Sequence, residues 1–221
     1  MKSVVRGTCD EAAAQEAARA IARGGVIIYP TDTLWGFGAD PRNREAIERV
    51  YTIKGREPGK PLLLMVRDIA MAQEVAHLPR SAVVLARAFW PGGLSLVAPA
   101  RAGQTLWGIG KNRTVGLRAP NHPFREYFFQ HFSFPITSTS VNLSGEAPLR
   151  DFAEILERFG AQADVLVDDI EHPPTGAPST VVDVSDGRAR VVREGVVPRE
   201  AVRKALAEAG ADDAWAEDTA F

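Results

Sequence analysis

Three cations fall within seven residues, at Lys54, Arg56 and Lys60, and two hydroxyl-rich turns stand elsewhere in the chain. One is Pro30-Thr31-Asp32-Thr33, at the end of a short apolar run. The other is Thr137-Ser138-Thr139-Ser140, followed by Asn142. Hydroxyl and amide groups at the end of a buried strand need partners, either in the loop backbone or in a ligand. Brought against clustered cations, such groups make an anion site, and phosphate is the anion such sets hold most often. Taken alone, the Lys-Gly-Arg cluster reads rather as a solvated basic turn, because exposed charge is the ordinary state of both residues.

Two familiar phosphate motifs are excluded. The run Gly55 to Pro61 has three residues between its glycines, not the four of a P-loop, and Pro61 stands where a magnesium-binding Ser or Thr is required. The run Gly36 to Pro41 begins like a dinucleotide fingerprint but carries proline at its sixth position. Ser140 lacks the Gly-x-Ser-x-Gly elbow of a hydrolase nucleophile, so its expected role is hydrogen bonding. His77 and His122 show no metal-ligand spacing and are expected at the surface or in turns. Asp32 either caps its own turn or orients an amine or a metal-bound water.

The elements that must position these groups follow from local pattern. Asp10 predicts an N-cap for an alanine-rich helix ending at Gly24-Gly25, and Asn43 an N-cap for a helix that delivers Lys54 at its end. Gly55, Pro58, Gly59 and Pro61 then place Arg56 and Lys60 on a loop. Strands are expected at 26–30, 62–66, 94–97, 115–118, 134–139, 165–167, 181–184 and 189–193, and further helices at 80–89, 123–131, 151–159 and 198–209. The glycine-spaced stretch after Thr33 and residues 99–114 read as loops. Trp90 is expected in the core rather than in a site.

At 221 residues and 45% hydrophobic, the chain suits one α/β domain over residues 1–209, with an acidic, flexible tail at 210–221. Cys9 is the sole cysteine, so no internal disulfide forms. No run reaches the about 18 apolar residues of a membrane span, so the expectation is a cytoplasmic protein without a membrane partner. The net charge of −2 is unevenly spread: Val75 to Arg125 holds seven Lys and Arg and no Asp or Glu. A basic middle invites phosphates, on a nucleotide or a nucleic acid.

Eight short motifs stand in order: Pro30-Thr-Asp-Thr33, Lys54-x-Arg56, Lys60-Pro-Leu62, Phe89-Trp-Pro-Gly92, Thr114-Val-Gly-Leu-Arg118-Ala-Pro120, Ser140-x-Asn142-Leu-Ser-Gly145, Ser179-Thr-Val-Val-Asp183 and Arg193-x-Gly195. In order and spacing they resemble the YrdC-like family of threonylcarbamoyl-AMP synthases, over about residues 10–209. The resemblance implies a twisted, mixed sheet flanked by helices and curved into a concave, positively charged cavity. It implies an enzyme that forms threonylcarbamoyl-AMP and pyrophosphate from L-threonine, bicarbonate or CO2, and ATP. The product feeds modification of adenosine 37 in tRNA, completed by partner transferase machinery.

The same resemblance assigns roles. Lys54, Arg56, Ser140 and Asn142 are the expected catalytic set on the triphosphate, with Thr114 and Arg193 also on ATP. Thr31, Thr33, Arg118, Ser138 and Ser179 are expected on the threonine side, with Arg118 as a bidentate carboxylate fork. Magnesium is expected with ATP, held by the phosphates, with no metal site of the protein's own. Met65 stands where long-form members carry a threonine-binding histidine, and Gly93 and Ser95 stand where proline and threonine are common. The chain resembles the short form. Two further readings are a double-stranded RNA or tRNA-binding module without this activity, and a paralogue acting on a different carbamoyl or acyl-adenylate substrate.

Overall fold

Among the described residues, five of the seven helices begin at a side chain that satisfies an otherwise unpaired backbone N–H, His122 serving the helix that opens at Pro123 in this way. Asp10, Asn43, Asp68 and Asp151 each accept from the amide three residues on, at 2.8–3.1 Å. The structure, a computed structural model, describes residues 3–5, 7–103, 105–110 and 112–216. In chain order these hold β1 (Ser3–Val5), α1 (Glu11–Ala22), β2 (Ile27–Tyr29), β3 (Gly36–Gly38), α2 (Arg44–Lys54), β4 (Leu63–Met65), α3 (Ile69–Val75) and α4 (Arg80–Phe89). Then come β5 (Leu94–Pro99), β6 (Thr114–Arg118), α5 (Pro123–His131), β7 (Ile136–Thr137), β8 (Thr139–Ser140), α6 (Phe152–Phe159), β9 (Val165–Val167), β10 (Thr180–Asp183), β11 (Arg190–Arg193) and α7 (Arg199–Glu208).

The strands form two mixed sheets rather than one. The five-stranded sheet runs β1-β9-β2-β3-β8 and the six-stranded sheet β11-β10-β5-β6-β4-β7. The single run expected at 134–139 divides between them. Thr137 ends β7, antiparallel to β4, and Thr139 opens β8, antiparallel to β3. Ser138 is the step between sheets, its amide donating to Leu63 O at 2.6 Å. The hydroxyl run therefore sits where the two sheets meet.

Period-two alternation explains how β2 is buried on both faces. Ile27 and Tyr29 join one apolar core with Val165 and Val167, whereas Val26 and Ile28 join a second with Leu166, under α2 and α6. Burial of each such aliphatic side chain contributes about 2 kcal/mol. The alanine face of α1 packs on α5, whose Phe128 and Phe129 stand in the first core.

Four stretches differ from expectation. The glycine-spaced stretch 36–38 is a strand, because a Cβ on Gly38 would fall 2.9 Å from both Ile27 and Tyr29, so glycine lets the hairpin close on Tyr29. β1 and α3 carried too short a pattern to be assigned from periodicity. Residues 210–216 do not form a loose tail. A 3₁₀ turn at Asp212–Ala214 leads to a bridge between Trp215 and Ala189, and Ala211 and Ala216 are buried. The apolar contacts of these residues outweigh the acidic composition that suggested fraying. Glu217 and Asp218, and Lys111 of the basic stretch, lie outside the described residues. Among the described residues, no helix is long and apolar enough to cross a membrane.

Candidate active site

The junction of the sheets opens into a cavity of about 250 Å³. Its walls come from the ends of several elements: the turn after β2, the loop after α2, the end of β6, the β7–β8 step and the start of β10. Thr31, Thr33, Arg56, Arg118, Ser138, Ser140, Ser179 and Arg193 all line it. Lys54, Asn142 and Thr114 do not.

On one wall the Pro-Thr-Asp-Thr turn grips Arg118. The Thr31 hydroxyl donates to Leu34 O at 2.7 Å, so in the Thr31–Thr33 pair at 3.1 Å the Thr33 hydroxyl must be the donor. Thr33 Oγ1 is thereby left to accept from Arg118. Arg118 also donates from Nε to Gly92 O at 2.9 Å and from its second terminal nitrogen to Asp32 Oδ1. The guanidinium is buried and held from three sides, yet two of its five N–H groups stay uncommitted. Asp32, expected as a turn cap or an amine partner, is instead the ion-pair partner of Arg118. Its backbone carbonyl accepts from the amide and the hydroxyl of Thr175, which clips the proline-rich 173–178 loop to the same turn.

Arg193 stands exposed at the rim and donates from Nε and a terminal nitrogen to Ser179 O, at 3.2 and 2.8 Å. Ser179 in turn pairs with buried Ser95 at 2.9 Å. The Arg-x-Gly motif has a steric reason: a Cβ on Gly195 would fall 2.2 Å from Pro178 O, so only glycine lets the chain pass Ser179 this closely.

The lining contributed by the loop after α2 is different in kind. Arg56 donates to Pro61 O at 3.1 Å, and its buried Nε has no partner. No carboxylate pairs with Arg56 among the described residues. Lys54, the last residue of α2, is 1% exposed, which departs from a basic turn in solvent. Its ammonium donates to Ser140 O, to Asn142 O at 3.1 Å and to Asn142 Oδ1 at 3.3 Å. Burial, followed by the neighbouring charge of Arg56, lowers its pKa to about 8.

Other expected positions separate from the cavity. Thr114 opens β6, about 13 Å along the strand from Arg118, beside Gly110. Met65 is fully buried in the core and pairs with Arg118 across β4 and β6, so its side chain is a packing group. Thr137 spends its hydroxyl on Ala39 N and Phe37 O. His122 is buried rather than superficial: Nδ1 accepts from Phe124 N at 3.1 Å to cap α5, and burial lowers its pKa. His77 is exposed. Trp90 packs partly buried against the core, with its indole N–H on Leu94 O. Ser95 and Trp35 are among the lining residues that sequence reasoning did not assign to the site, and the pairing of Asp32 with Arg118 was not expected. Trp35 lines the cavity with a buried indole N–H that has no partner.

The family model described as "Telomere recombination", covering Sua5, YciO and YrdC, matches residues 19–195. This chain belongs to the Sua5/YciO/YrdC family. A threonylcarbamoyl-AMP synthase of Halorhodospira halophila is 35% identical over 154 residues, 69% of this chain and 81% of that protein. One from Vibrio vulnificus is 36% identical over 156 residues, 69% of this chain and 84% of its own length. Among solved structures, Pyrococcus abyssi Sua5 complexed with L-threonine superposes with a TM-score of 0.83 at 28% identity, covering 94% of this chain and 61% of that one. Escherichia coli YciO gives 0.80 at 26% identity, covering 91% of this chain and all of that one. The chain thus spans most of the bacterial synthases it matches and about three fifths of the archaeal Sua5.

Proposed function

We propose that this protein joins L-threonine, bicarbonate or CO2, and ATP into threonylcarbamoyl-AMP and pyrophosphate. The observation that carries the reading is the asymmetry of one cavity. It holds a carboxylate-balanced arginine fork, Arg118 with Asp32, and, on the loop after α2, an unbalanced Arg56 with a buried, unpartnered N–H. A balanced fork suits the single carboxylate of an amino acid; an unbalanced cation suits a polyphosphate. The names of the bacterial relatives and the threonine complex of the Pyrococcus protein support threonine as a substrate.

The chemistry fits donors and cations rather than acid-base groups. The threonine amine adds to CO2 and loses a proton, giving a carbamate. A carbamate oxygen then attacks the α-phosphorus, and the bond to the bridging oxygen breaks as pyrophosphate leaves with the electron pair. Arg56 and the Ser140 hydroxyl stand where the triphosphate charge accumulates, and Arg193 covers the rim. The two free N–H groups of Arg118 hold the amino-acid carboxylate, with Thr31, Thr33, Ser138 and Ser179 around it. No group of three or more His, Cys, Asp and Glu side chains suited to a metal lies among the described residues, and Asp32 is engaged by Arg118. Magnesium accompanying ATP would be held mainly by the phosphates themselves. The product is consumed by a tRNA threonylcarbamoyl transferase in the cytoplasm.

The test is pyrophosphate release from ATP with L-threonine and bicarbonate present together or singly, with serine as competitor. Release that requires all three substrates supports the reading. No release, with tRNA binding that weakens steeply with salt, makes the protein a binding module instead. Release with a different amine makes it a paralogue.

A further inference from the structure

The four residues expected to converge on phosphate divide into two kinds. Arg56 and Ser140 line the cavity, whereas Lys54 and Asn142 do not. An ammonium has three N–H groups. Those of Lys54 face three oxygens, the carbonyls of Ser140 and Asn142 and the Asn142 side-chain oxygen, which leaves none for a ligand. The ammonium also lies 5.6 Å from the centre of the Phe37 ring.

Asn142 is as fully committed. Its Oδ1 accepts from the Ser140 hydroxyl at 2.6 Å as well as from Lys54, and its Nδ2 donates to Leu143 O at 2.7 Å and Glu146 O at 3.0 Å. The carbonyl of Lys54 accepts from Ser144 N at 2.7 Å. One lysine therefore fastens the loop 140–146 from both its side chain and its backbone. Three oxygens converging in a buried place repel one another unless a cation stands between them.

We propose that Lys54 is a positioning residue: its buried ammonium clamps the loop 140–146 against the end of α2 and so fixes Ser140 at the cavity, leaving phosphate contact to Arg56 and Ser140. The identity of the phosphate ligand rests on the reading above, but the clamp does not. At neutral pH the ammonium keeps its charge, since its pKa stays near 8.

Lys54→Met fills the same space without donors. In the ligand-free protein, hydrogen–deuterium exchange of residues 139–146 is expected to accelerate about tenfold or more, the factor carried by one charge-assisted hydrogen bond, with the β9–β2 pair unchanged. In a double-mutant cycle on ATP affinity, Lys54→Met and Ser140→Ala are expected to couple, the second costing little after the first, whereas Lys54→Met and Arg56→Ala add. Should Lys54→Met fail to fold, Asn142→Ala removes the other half of the clamp and is expected to give the same exchange signature. Unchanged exchange over 139–146 with ATP affinity lost overturns the proposal and makes Lys54 a phosphate ligand. Because the exchange is read without ligand, its outcome is separate from whether the protein releases pyrophosphate.

Discussion

The two walls of the cavity use the same side chain in opposite ways. Arg118 is buried, pinned by Gly92, Thr33 and Asp32, and neutralised by a carboxylate. Arg56 is half-buried, tied only to one carbonyl, and neutralised by nothing among the described residues. A pinned, neutralised fork selects geometry, because its remaining N–H groups point in fixed directions. A loosely tied, unbalanced cation supplies charge, because nothing nearby cancels its field. One cavity can thus recognise a small zwitterion on one side and a polyanion on the other.

Truncation of the pinned wall should have the largest effect. Arg118→Ala removes the carboxylate fork and leaves Asp32 without its cation, so pyrophosphate release should fall by about 100-fold or more, with a stability loss of about 3 kcal/mol by chemical denaturation. Arg56→Ala should weaken ATP by about 10- to 100-fold by calorimetry. Its melting temperature should be nearly unchanged, because Arg56 supports no other element. Equal losses of stability in the two variants would erase the distinction between the walls.

Asp32→Asn separates pinning from charge. It keeps the shape but removes the neutralising carboxylate, and should raise the KM for threonine by about tenfold with ATP affinity retained. A KM effect on ATP of the same size would mean that the turn serves both ligands. A last effect is on stability and appears only in alkali. Folded Lys54 loses its proton near pH 8, whereas in the unfolded chain it does so near its ordinary value of 10.5. The unfolded state therefore binds more protons between these values, and wild-type stability should rise with pH there relative to Lys54→Met, by at most about 3 kcal/mol. Denaturation at pH 8 and pH 10 reads the difference, and a gap that does not move would place Lys54 in solvent.

Much of this arrangement was legible in the chain. Helix caps at Asp10 and Asn43 could be read because capping is local, and the strands at 26–30 and 165–167 because they are apolar runs bounded by turn residues. The cavity residues Arg56, Arg118, Ser140 and Ser179 could be placed together only through the order and spacing of eight motifs. What was not legible depends on contacts far apart in sequence. The split of 134–139 between two sheets depends on which strands Thr137 and Thr139 meet. The burial of Lys54 depends on a loop 86 residues downstream, and the Asp32–Arg118 pair spans the same interval. Residues 211–216 looked like tail because composition does not reveal that Trp215 meets Ala189.

The most direct test of the two-wall division is calorimetric titration of each ligand into each arginine variant. Arg118→Ala should lose L-threonine affinity and keep ATP, and Arg56→Ala should lose ATP affinity and keep L-threonine. Parallel loss of both ligands in either variant, with the fold intact, would contradict the division and make the cavity a single undivided anion site.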